Sequence, residues 1–382
     1  MPRHPRVAPT IRAMEGRVYS SLARRLAKHS GEVYPLHIGD TWMEPPDGCR
    51  MEDLSAADHP GMHRYAPVQG THGLLDTIVE WTEARSGGRL EREQVLVATG
   101  ATGGLGAVVG ALLAPGDEVL ILAPYWPLIA GIVRTFRAQP VPVPILDIDD
   151  PEALVEALED ALSPRTAALY YNTPHNPTGR VLSESLLAAM ADFARRNDLW
   201  VVSDDVYEHY SYDAVHVRGR LLAPERTFAA HSFSKAYGMA GNRCGYVLGP
   251  SAVMRELRKV STHTFYSTPT ASQIAAQRAL LGPGDAWAAR AAALYADTGR
   301  KAAARLGLPP PQGSTFLFLD VADRLDERGL LGFLDDCVER GLLVAQGTSF
   351  GPYPTHIRLC FTSVEPERVL RGVEVLAGIL GR

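Results

Sequence analysis

One segment of the sequence, from Ser232 to Gly245, combines residue types that suit covalent chemistry. It reads SFSKAYGMAGNRCG and contains Lys235 at the end of an apolar run, with small and hydroxyl side chains beside it and Arg243 eight positions further on. Withdrawal from water favours the uncharged form of an amine, and an uncharged amine can form a Schiff base with a carbonyl compound. A solvated lysine is the ordinary alternative, but the preceding apolar run and the flanking hydroxyls favour an inward-facing side chain.

A glycine-rich turn between Gly100 and Gly106 is a second chemical feature. It follows the apolar run VLVAT (95–99) and precedes a helical stretch, so its backbone N–H groups suit an anion such as a phosphate. The spacing fails the dinucleotide pattern G-x-G-x-x-G, because Val109 stands where the third glycine is required. The phosphate-loop pattern G-x-x-x-x-G-K-S/T does not occur either. These failures argue against a nicotinamide-dependent oxidoreductase.

Composition argues against several other functions. The formal net charge of −5 and the lack of a basic block give no support for nucleic-acid binding. The four cysteines lie far apart and the twelve histidines show no metal-ligand spacing, so the sequence predicts neither a disulfide framework nor a metal site. The basic N-terminus lacks the apolar run of a secretory signal, and the uncharged stretch 94–116 has too many glycines for a membrane span. We expect a cytoplasmic protein without a membrane partner.

The elements that must position these residues alternate from Glu91 to Gly249. Short apolar runs alternate with helical stretches such as 183–197, in which apolar residues recur every three or four positions. This alternation predicts a largely parallel α/β sheet that is covered on both faces. The predicted strands are 95–99, 118–124, 139–145, 166–172, 199–204, 227–233 and 244–249.

The C-terminal third has a different pattern, which predicts a smaller α+β domain. An N-terminal helix from Thr10 to His29, ended by Gly31, is expected to pack with this domain. The elements predicted for the domain itself are an Ala-rich helix over 285–306, strands near 314–321, 342–346 and 355–361, and a closing helix from about Pro366.

Short motifs occur along the chain in an order that is typical of one enzyme family. The lysine segment has the pattern S-F-S-K, then seven residues, then R-x-G, and six further pieces accompany it. They are Tyr65 with Gly70, Thr99-Gly-Ala-Thr102, Pro124-Tyr-Trp126-Pro, Asn176-Pro-Thr-Gly179, Asp204-Asp-Val-Tyr207 and Arg358 in HIRLCF. From about Gly39 to Arg358 the chain resembles the pyridoxal-5′-phosphate (PLP) enzymes of fold type I, specifically the class I/II aminotransferases related to aspartate aminotransferase.

The resemblance implies a fold and an assembly. The fold would be an α/β large PLP-binding domain over 45–284, with a mostly parallel seven-stranded sheet sandwiched by helices, and a small C-terminal α+β domain over 285–382. Residues 1–44 would form an N-terminal segment that packs with the small domain. Members of the family are homodimers with active sites shared across the interface, so Tyr65 would reach the cofactor phosphate of the neighbouring subunit.

The resemblance also implies a role for each motif residue. Asp204 would keep the pyridine nitrogen of PLP protonated by charge pairing, which makes the ring an electron sink. Tyr207 and Asn176 would hydrogen-bond the 3′ oxygen of the ring, and Trp126 would stack on its face. The residues implied around the cofactor phosphate are Gly100, Ala101, Thr102, Ser232, Ser234, Arg243 and Tyr65. Those implied at the substrate are Arg358 for the α-carboxylate, Gly39 in a loop that closes over the site, and Asn176. Trp42 is a further substrate-site candidate, on the ground of its difference from the family pattern.

The implied activity is a ping-pong transamination from an L-amino acid to a 2-oxo acid through a Schiff base on Lys235. The same fold and cofactor also serve lyases, cyclases and synthases, so elimination or cyclisation stays open as the alternative. Regulators with this domain carry a winged-helix module before it, and the residues ahead of Gly39 leave too little room for one. We therefore expect an enzyme.

Two departures from the family pattern bear on the substrate. Thr102 stands where some bacterial aspartate aminotransferases place a lysine that meets a second carboxylate. Thr41 and Trp42 replace the usual small or acidic residue after Asp40. These departures favour a larger or less acidic substrate side chain. The alternative is that Trp42 only packs its loop.

Overall fold

The computed structural model describes residues 6–12, 14, 20–86 and 88–382. Its strands are β1 Tyr34–Pro35, β2 Val95–Ala98, β3 Glu118–Ala123, β4 Gln139–Pro144, β5 Thr166–Asn172, β6 Trp200–Asp204, β7 Thr227–Ser232, β8 Gly245–Leu248, β9 Phe316–Asp320, β10 Leu342–Leu343, β11 Ala345–Gln346 and β12 His356–Cys360. Its α-helices are α1 Pro9–Arg12, α2 Ser20–Leu26, α3 His72–Ser86, α4 Gly100–Leu112, α5 Pro127–Thr135, α6 Pro151–Ala161, α7 Glu184–Arg196, α8 Phe233–Ala236, α9 Ser251–Thr264, α10 Thr270–Leu281, α11 Gly284–Arg305, α12 Gly329–Glu339 and α13 Pro366–Leu380.

A seven-stranded sheet with the order β2-β8-β7-β6-β5-β3-β4 carries the large domain. Its neighbouring strands are parallel except where β8 pairs with β2 and β7. Each strand begins and ends within one residue of the bounds predicted from the sequence. The predicted fold, a mostly parallel sheet between helices, is therefore confirmed.

Both faces of this sheet are covered by helices, which explains why its strands are apolar at successive positions. Val119 and Ile121 of β3 pack with buried residues of α4 and α5 on one face. Leu120 and Leu122 pack with buried residues of α6 and α7 on the other. Each such side chain contributes about 1.5–3 kcal/mol when fully buried, so the alternating sides of one strand tie two helical layers together.

Two of the helices that cover the sheet, α6 and α7, begin where the sequence supplies a cap. Ser183 precedes α7, and its side-chain oxygen accepts the Leu186 N–H at 3.3 Å. Asp150 precedes α6 and accepts the Ala153 N–H at 2.9 Å. Such caps satisfy backbone donors that have no partner within the helix. In the described ranges of the chain, no helix is long and apolar enough to cross a membrane.

The C-terminal part contains a three-stranded antiparallel sheet in the order β11-β12-β9. The prediction of one strand over 342–346 is wrong in its continuity. The run divides into β10, which pairs with β1 in parallel, and β11, which pairs with β12 in antiparallel orientation. The apolar residues of 342–346 can pair with either neighbouring strand. The change from one partner strand to the other therefore follows from the positions of β1 and β12 and not from the sequence of 342–346.

The N-terminal helix predicted over Thr10 to His29 is represented by α1 and α2, while residues 13 and 15–19 lie outside the described residues. Leu26 of α2 packs with Val338 and Leu343 of the C-terminal part. The domain boundaries after residues 44 and 284 stay a prediction.

The parallel strands bring several chemical groups to one edge of the sheet. Strands β5, β6 and β7 end at Asn172, Asp204 and Ser232, and the carboxyl ends of parallel strands form the usual ligand crevice of such sheets. The sequence suggested that Lys235 stands at the end of a strand, and this expectation is wrong. Lys235 lies three residues beyond β7, within the single turn of α8.

Candidate active site

A cavity of about 410 Å³ lies at this edge of the sheet. It is lined by residues of the large sheet and its helices, and also by the loop around Gly39 and by β12. The predicted site residues that line it are Gly39, Ala101, Thr102, Trp126, Asn176, Asp204, Tyr207, Ser232, Ser234, Lys235, Arg243 and Arg358. Those that do not line it are Gly100, Tyr65 and Trp42.

Lys235 enters the cavity from α8. Ser232 begins this helical turn, and its side-chain oxygen accepts the Ser234 N–H at 3.1 Å. The Lys235 Nζ donates to the Gly39 carbonyl oxygen at 2.6 Å and lies 3.1 Å from the Asp40 Oδ1. The lysine side chain is 16% exposed, so the amine is shielded by this loop and still open to the cavity.

Asp204 is a buried carboxylate at the end of β6. The Tyr170 O–H donates to its Oδ2 at 2.8 Å, and the Val206 N–H donates to its Oδ1 at 3.4 Å. Neither contact brings a positive charge. Burial therefore raises the pKa of Asp204 to about 7, although both hydrogen bonds act in the opposite direction. A cation placed beside Asp204 in the cavity would restore the charged carboxylate.

Hydrogen bonds connect Asp204 through two asparagines to Arg358 of β12. The Asn172 Nδ2 donates to the Asp204 carbonyl oxygen at 2.6 Å, and its Oδ1 accepts the Asn176 N–H at 2.7 Å. The Asn176 Oδ1 in turn accepts a hydrogen bond from the Arg358 Nη1 at 3.0 Å. These contacts connect the ends of β5 and β6 to β12, so the two sides of the cavity are held in register.

Arg358 is a buried cation on β12, with 4% of its surface exposed. Its Nη2 donates to the His37 carbonyl oxygen at 2.7 Å, and the centre of its guanidinium lies 4.2 Å from the Phe316 ring centroid. Its Nε has no hydrogen-bond partner. Because its partners, Asn176 and the His37 carbonyl, are neutral, the guanidinium faces the cavity without a carboxylate to balance its charge.

The Arg358 charge also affects a neighbouring group. Burial, together with the positive charge of Arg358, lowers the pKa of His37 to about 4. The His37 ring, which lines the cavity, is therefore neutral at neutral pH.

The start of α4 and the Arg243 guanidinium form a cationic end of the cavity. Gly100, the first residue of α4, has φ of +71°, and Arg243 has a left-handed backbone with φ of 50°. The Arg243 Nη1 donates to the Ala240 carbonyl oxygen at 2.9 Å. A Cβ at Gly100 would lie 2.6 Å from the Arg243 Nη2, so only glycine lets the guanidinium approach the helix start this closely. Helix N–H groups and a guanidinium together suit an anion.

Two predicted residues lie away from the cavity in this chain. Tyr65 is 88% exposed, and its ring meets the Tyr266 ring edge-on with centroids 5.2 Å apart. The Trp42 side chain packs against the main hydrophobic core, and the backbone N–H of Trp42 donates to the Thr362 carbonyl oxygen at 2.9 Å. The packing alternative describes this position of Trp42 better than substrate contact does.

Sequence reasoning missed three residues that shape the site: Tyr170, Asn172 and His37. Tyr170 and Asn172 belong to the predicted strand 166–172, and their even spacing puts both on the side of β5 that faces Asp204. Polar groups near the end of a buried strand were the available signal. His37 had no signal of this kind, because the group that accepts the Arg358 hydrogen bond is its backbone carbonyl, which every residue has.

The residues around the cavity fit PLP, the cofactor that the sequence resemblance implies. Its phosphate is mostly dianionic at neutral pH, since the second pKa is about 6, and the Gly100–Arg243 cradle offers a matching positive charge. The buried Asp204 carboxylate lacks a cationic partner among its hydrogen-bond donors, and a protonated ring nitrogen would supply one. Lys235 contributes an amine to the same cavity, and the aldehyde group of PLP needs an amine to form a Schiff base.

Comparisons with known proteins agree with this geometry. The family model described as aminotransferase class I and II matches residues 35–376. A probable aspartate/prephenate aminotransferase of Thermus aquaticus is 33% identical over 369 residues, with 94% of each chain covered. An arginine–pyruvate transaminase of Pseudomonas aeruginosa is 33% identical over 354 residues, which cover 89% of this chain and 88% of that protein.

Solved structures show the same likeness. An aspartate aminotransferase from Thermus thermophilus with maleate superposes with a TM-score of 0.89 at 27% identity, over 98% of this chain and 100% of that chain. The superposition covers nearly the whole chain, so the similarity includes both the large sheet and the C-terminal part.

Proposed function

Because the chain belongs to the class I and II aminotransferase family, we propose that its cavity transfers the amino group of an L-amino acid to a 2-oxo acid by a ping-pong mechanism. Covalently joined to the Lys235 amine, PLP would supply the electron sink for the electrons of the substrate Cα–H bond. The observation that carries the proposal is the buried Arg358 guanidinium, which faces the same cavity as the lysine and has only neutral partners.

At the cofactor, the proposed work of the chain is to bind and to orient. Arg243, the first N–H groups of α4 and the hydroxyls of Ser232 and Ser234 bind the phosphate. Asp204 holds a proton on the ring nitrogen, since its buried carboxylate is stabilised by an adjacent positive charge. Trp126 lines the cavity from the start of α5 and would exclude water from one face of the ring. Gly100, Ala101 and Thr102 contribute the backbone of the helix start, and Tyr207 and Asn176 the donors for the 3′ oxygen.

At the substrate, Arg358 binds the α-carboxylate in a two-pronged pair, and Asn176 keeps the guanidinium in place. While it is not joined to the cofactor, the Lys235 Nζ would take the proton from the substrate Cα and deliver it to the C4′ carbon of the cofactor. The Gly39 carbonyl oxygen and the Asp40 carboxylate lie within 2.6 and 3.1 Å of this nitrogen and would orient it. The loop that contains Gly39 and Asp40 thereby contacts the amine. Because glycine has no side chain, Gly39 would leave room for substrate.

We also propose the homodimer and the domain division that the sequence suggests. The exposed Tyr65–Tyr266 pair supports an interface, because aromatic residues are enriched where subunits meet. Residues 1–44 would pack with the small domain 285–382, beside the large domain 45–284. Sedimentation at several protein concentrations tests the dimer.

The decisive experiment for the activity is Lys235→Ala, with Lys301→Ala as the control on the exposed face of α11. We expect wild-type protein reduced with borohydride to carry the mass of the cofactor on the peptide that contains Lys235. The Lys235 variant should carry no cofactor mass on this peptide, bind PLP only reversibly and lose turnover. The Lys301 control should keep both the covalently attached cofactor and the turnover of the wild type.

Two results would contradict the proposal. Near-normal turnover by the Lys235 variant would exclude the proposed role of its amine. Release of ammonia and pyruvate from amino acids, without conversion of PLP to pyridoxamine phosphate, would favour the lyase alternative over transamination.

A further inference from the structure

The charged side chains that line the cavity all have a use in the proposed reaction. In the part of the chain that the structure describes, they are Asp204, Lys235, Arg243 and Arg358. The first three serve the cofactor, and Arg358 serves the α-carboxylate of the substrate. His37 is neutral at neutral pH because its pKa is lowered to about 4. Among these lining residues, which all belong to one subunit, no positive charge is left for a second carboxylate on the substrate.

Two exposed apolar side chains line the same cavity. Ile38 is 48% exposed and Leu128 is 49% exposed. Ile38 stands between two residues whose backbone carbonyl groups hold the Arg358 guanidinium and the Lys235 amine. It therefore adjoins the place where the α-carboxylate and the amino group of one amino acid would be held. Isolated exposed apolar residues are common, but two that line one cavity both offer apolar surface to its occupant.

Leu128 lines the cavity from a different part of the chain than Ile38 does. It lies in the first turn of α5, two residues after Trp126, and both side chains line the cavity. Trp126 and the intervening Pro127 extend the apolar lining from Leu128 inward. The open side of the cavity is thus lined by apolar groups from two separate parts of the chain.

Building on the proposed transamination, we propose that Ile38 and Leu128 form an apolar subsite for the substrate side chain, and that the preferred amino donor is a neutral amino acid with an aliphatic or aromatic side chain. Contact there removes apolar surface from water on both partners, so each added CH2 group that still fits strengthens binding about four-fold.

A dicarboxylic amino acid would be disfavoured at this subsite for two reasons. Its second carboxylate would lose hydration against apolar groups without gaining a cation from the lining residues of the same subunit. The Asp40 carboxylate, which lies 3.1 Å from the Lys235 Nζ, would add repulsion.

The test uses the PLP-loaded enzyme and the half-reaction with one amino acid at a time, so the acceptor does not enter the result. The rate constant for conversion of the cofactor absorbance, divided by the half-saturating concentration, is measured for 2-aminobutyrate, norvaline, norleucine, phenylalanine, arginine and aspartate. We expect this ratio to rise about four-fold per CH2 group along the straight-chain series and to be lowest for aspartate.

A binding measurement gives a second readout that needs no turnover. Isothermal titration compares 3-phenylpropanoate, an apolar monocarboxylate, with maleate, a dicarboxylate. Both can occupy Arg358, but only the first gains from the apolar subsite. We expect 3-phenylpropanoate to bind at least about ten-fold more tightly, the equivalent of about two buried CH2 groups.

Leu128→Lys supplies a cation at the subsite, and Leu331→Lys is its matched control. Leu331 is 62% exposed on α12 and does not line the cavity. The Leu128 variant should bind maleate more tightly, react faster with aspartate and react more slowly with norleucine. The Leu331 variant should match the wild type in all three measurements.

Other outcomes separate the two proposals. Tighter maleate binding or faster aspartate conversion by the wild type would overturn the apolar subsite while leaving the transamination intact. Preference for arginine would also overturn it and would indicate that Asp40 receives a cationic side chain. If no amino acid converts the cofactor, the proposed function fails, and the titration alone then decides whether the subsite is apolar.

Discussion

The substitution Asp204→Asn should stabilise the cofactor-free protein and harm the loaded one. Asp204 is 3% exposed, and burial raises its pKa from 3.8 to about 7. The folded state therefore binds a proton more tightly than the unfolded state does. Ionisation of Asp204 costs stability as pH rises from about 4 to about 7, and the cost is constant above that range.

The expected magnitude follows from the difference between the two pKa values. About 3 units at 1.36 kcal/mol each correspond to about 4 kcal/mol above pH 7, and about 2 kcal/mol remain near pH 5. Asparagine has nearly the same shape, cannot ionise and can still accept the Tyr170 hydrogen bond. The free energy of unfolding of the variant should therefore exceed that of the wild type by these amounts.

The assay is urea unfolding of the cofactor-free chain near pH 5 and near pH 8, at one protein concentration because association also affects stability. Asp47→Asn is the control, since the Asp47 side chain is 94% exposed. Addition of PLP should reverse the order, because a protonated ring nitrogen stabilises the Asp204 carboxylate but gains little from asparagine. Equal unfolding free energies of wild type and Asp204→Asn near pH 8 would refute the reasoning about buried charge.

Three further substitutions test the ends of the cavity. Arg358→Lys should lower kcat/KM about 100-fold without changing PLP affinity, since a lysine cannot form the two-pronged carboxylate pair; unchanged steady-state kinetics would exclude the carboxylate role. Arg243→Gln should weaken PLP binding about 10- to 100-fold, the loss of a charge-assisted hydrogen bond, as measured by fluorescence titration; an unaltered affinity would place the phosphate elsewhere. Gly100→Ala should weaken PLP binding and lower the free energy of unfolding by about 1–2 kcal/mol. The reason is that Gly100 has φ of +71° and that an added Cβ would meet the Arg243 guanidinium. An alanine variant as stable as the wild type would contradict this reasoning.

The large sheet could be predicted closely because its strands are short apolar runs bounded by turn residues. β5, for example, has the same bounds in the sequence prediction and in the structure. A strand that is covered on both faces is apolar at successive positions, and this pattern is visible without knowledge of the neighbours. The motif residues were also visible, since Lys235, Asp204 and Arg358 stand in short and ordered sequence patterns.

The tertiary structure alone decided which groups meet. Arg358 and Asn176 are 182 positions apart, and no local pattern indicates that one holds the other. The division of 342–346 between two sheets likewise depends on strands far away in the sequence. Periodicity reports whether a side chain is buried, but hydrogen bonds and charge balance depend on the atoms that surround it in space. For that reason the unbalanced charge of Arg358, the raised pKa of Asp204 and the packed position of Trp42 could be read only from the folded chain.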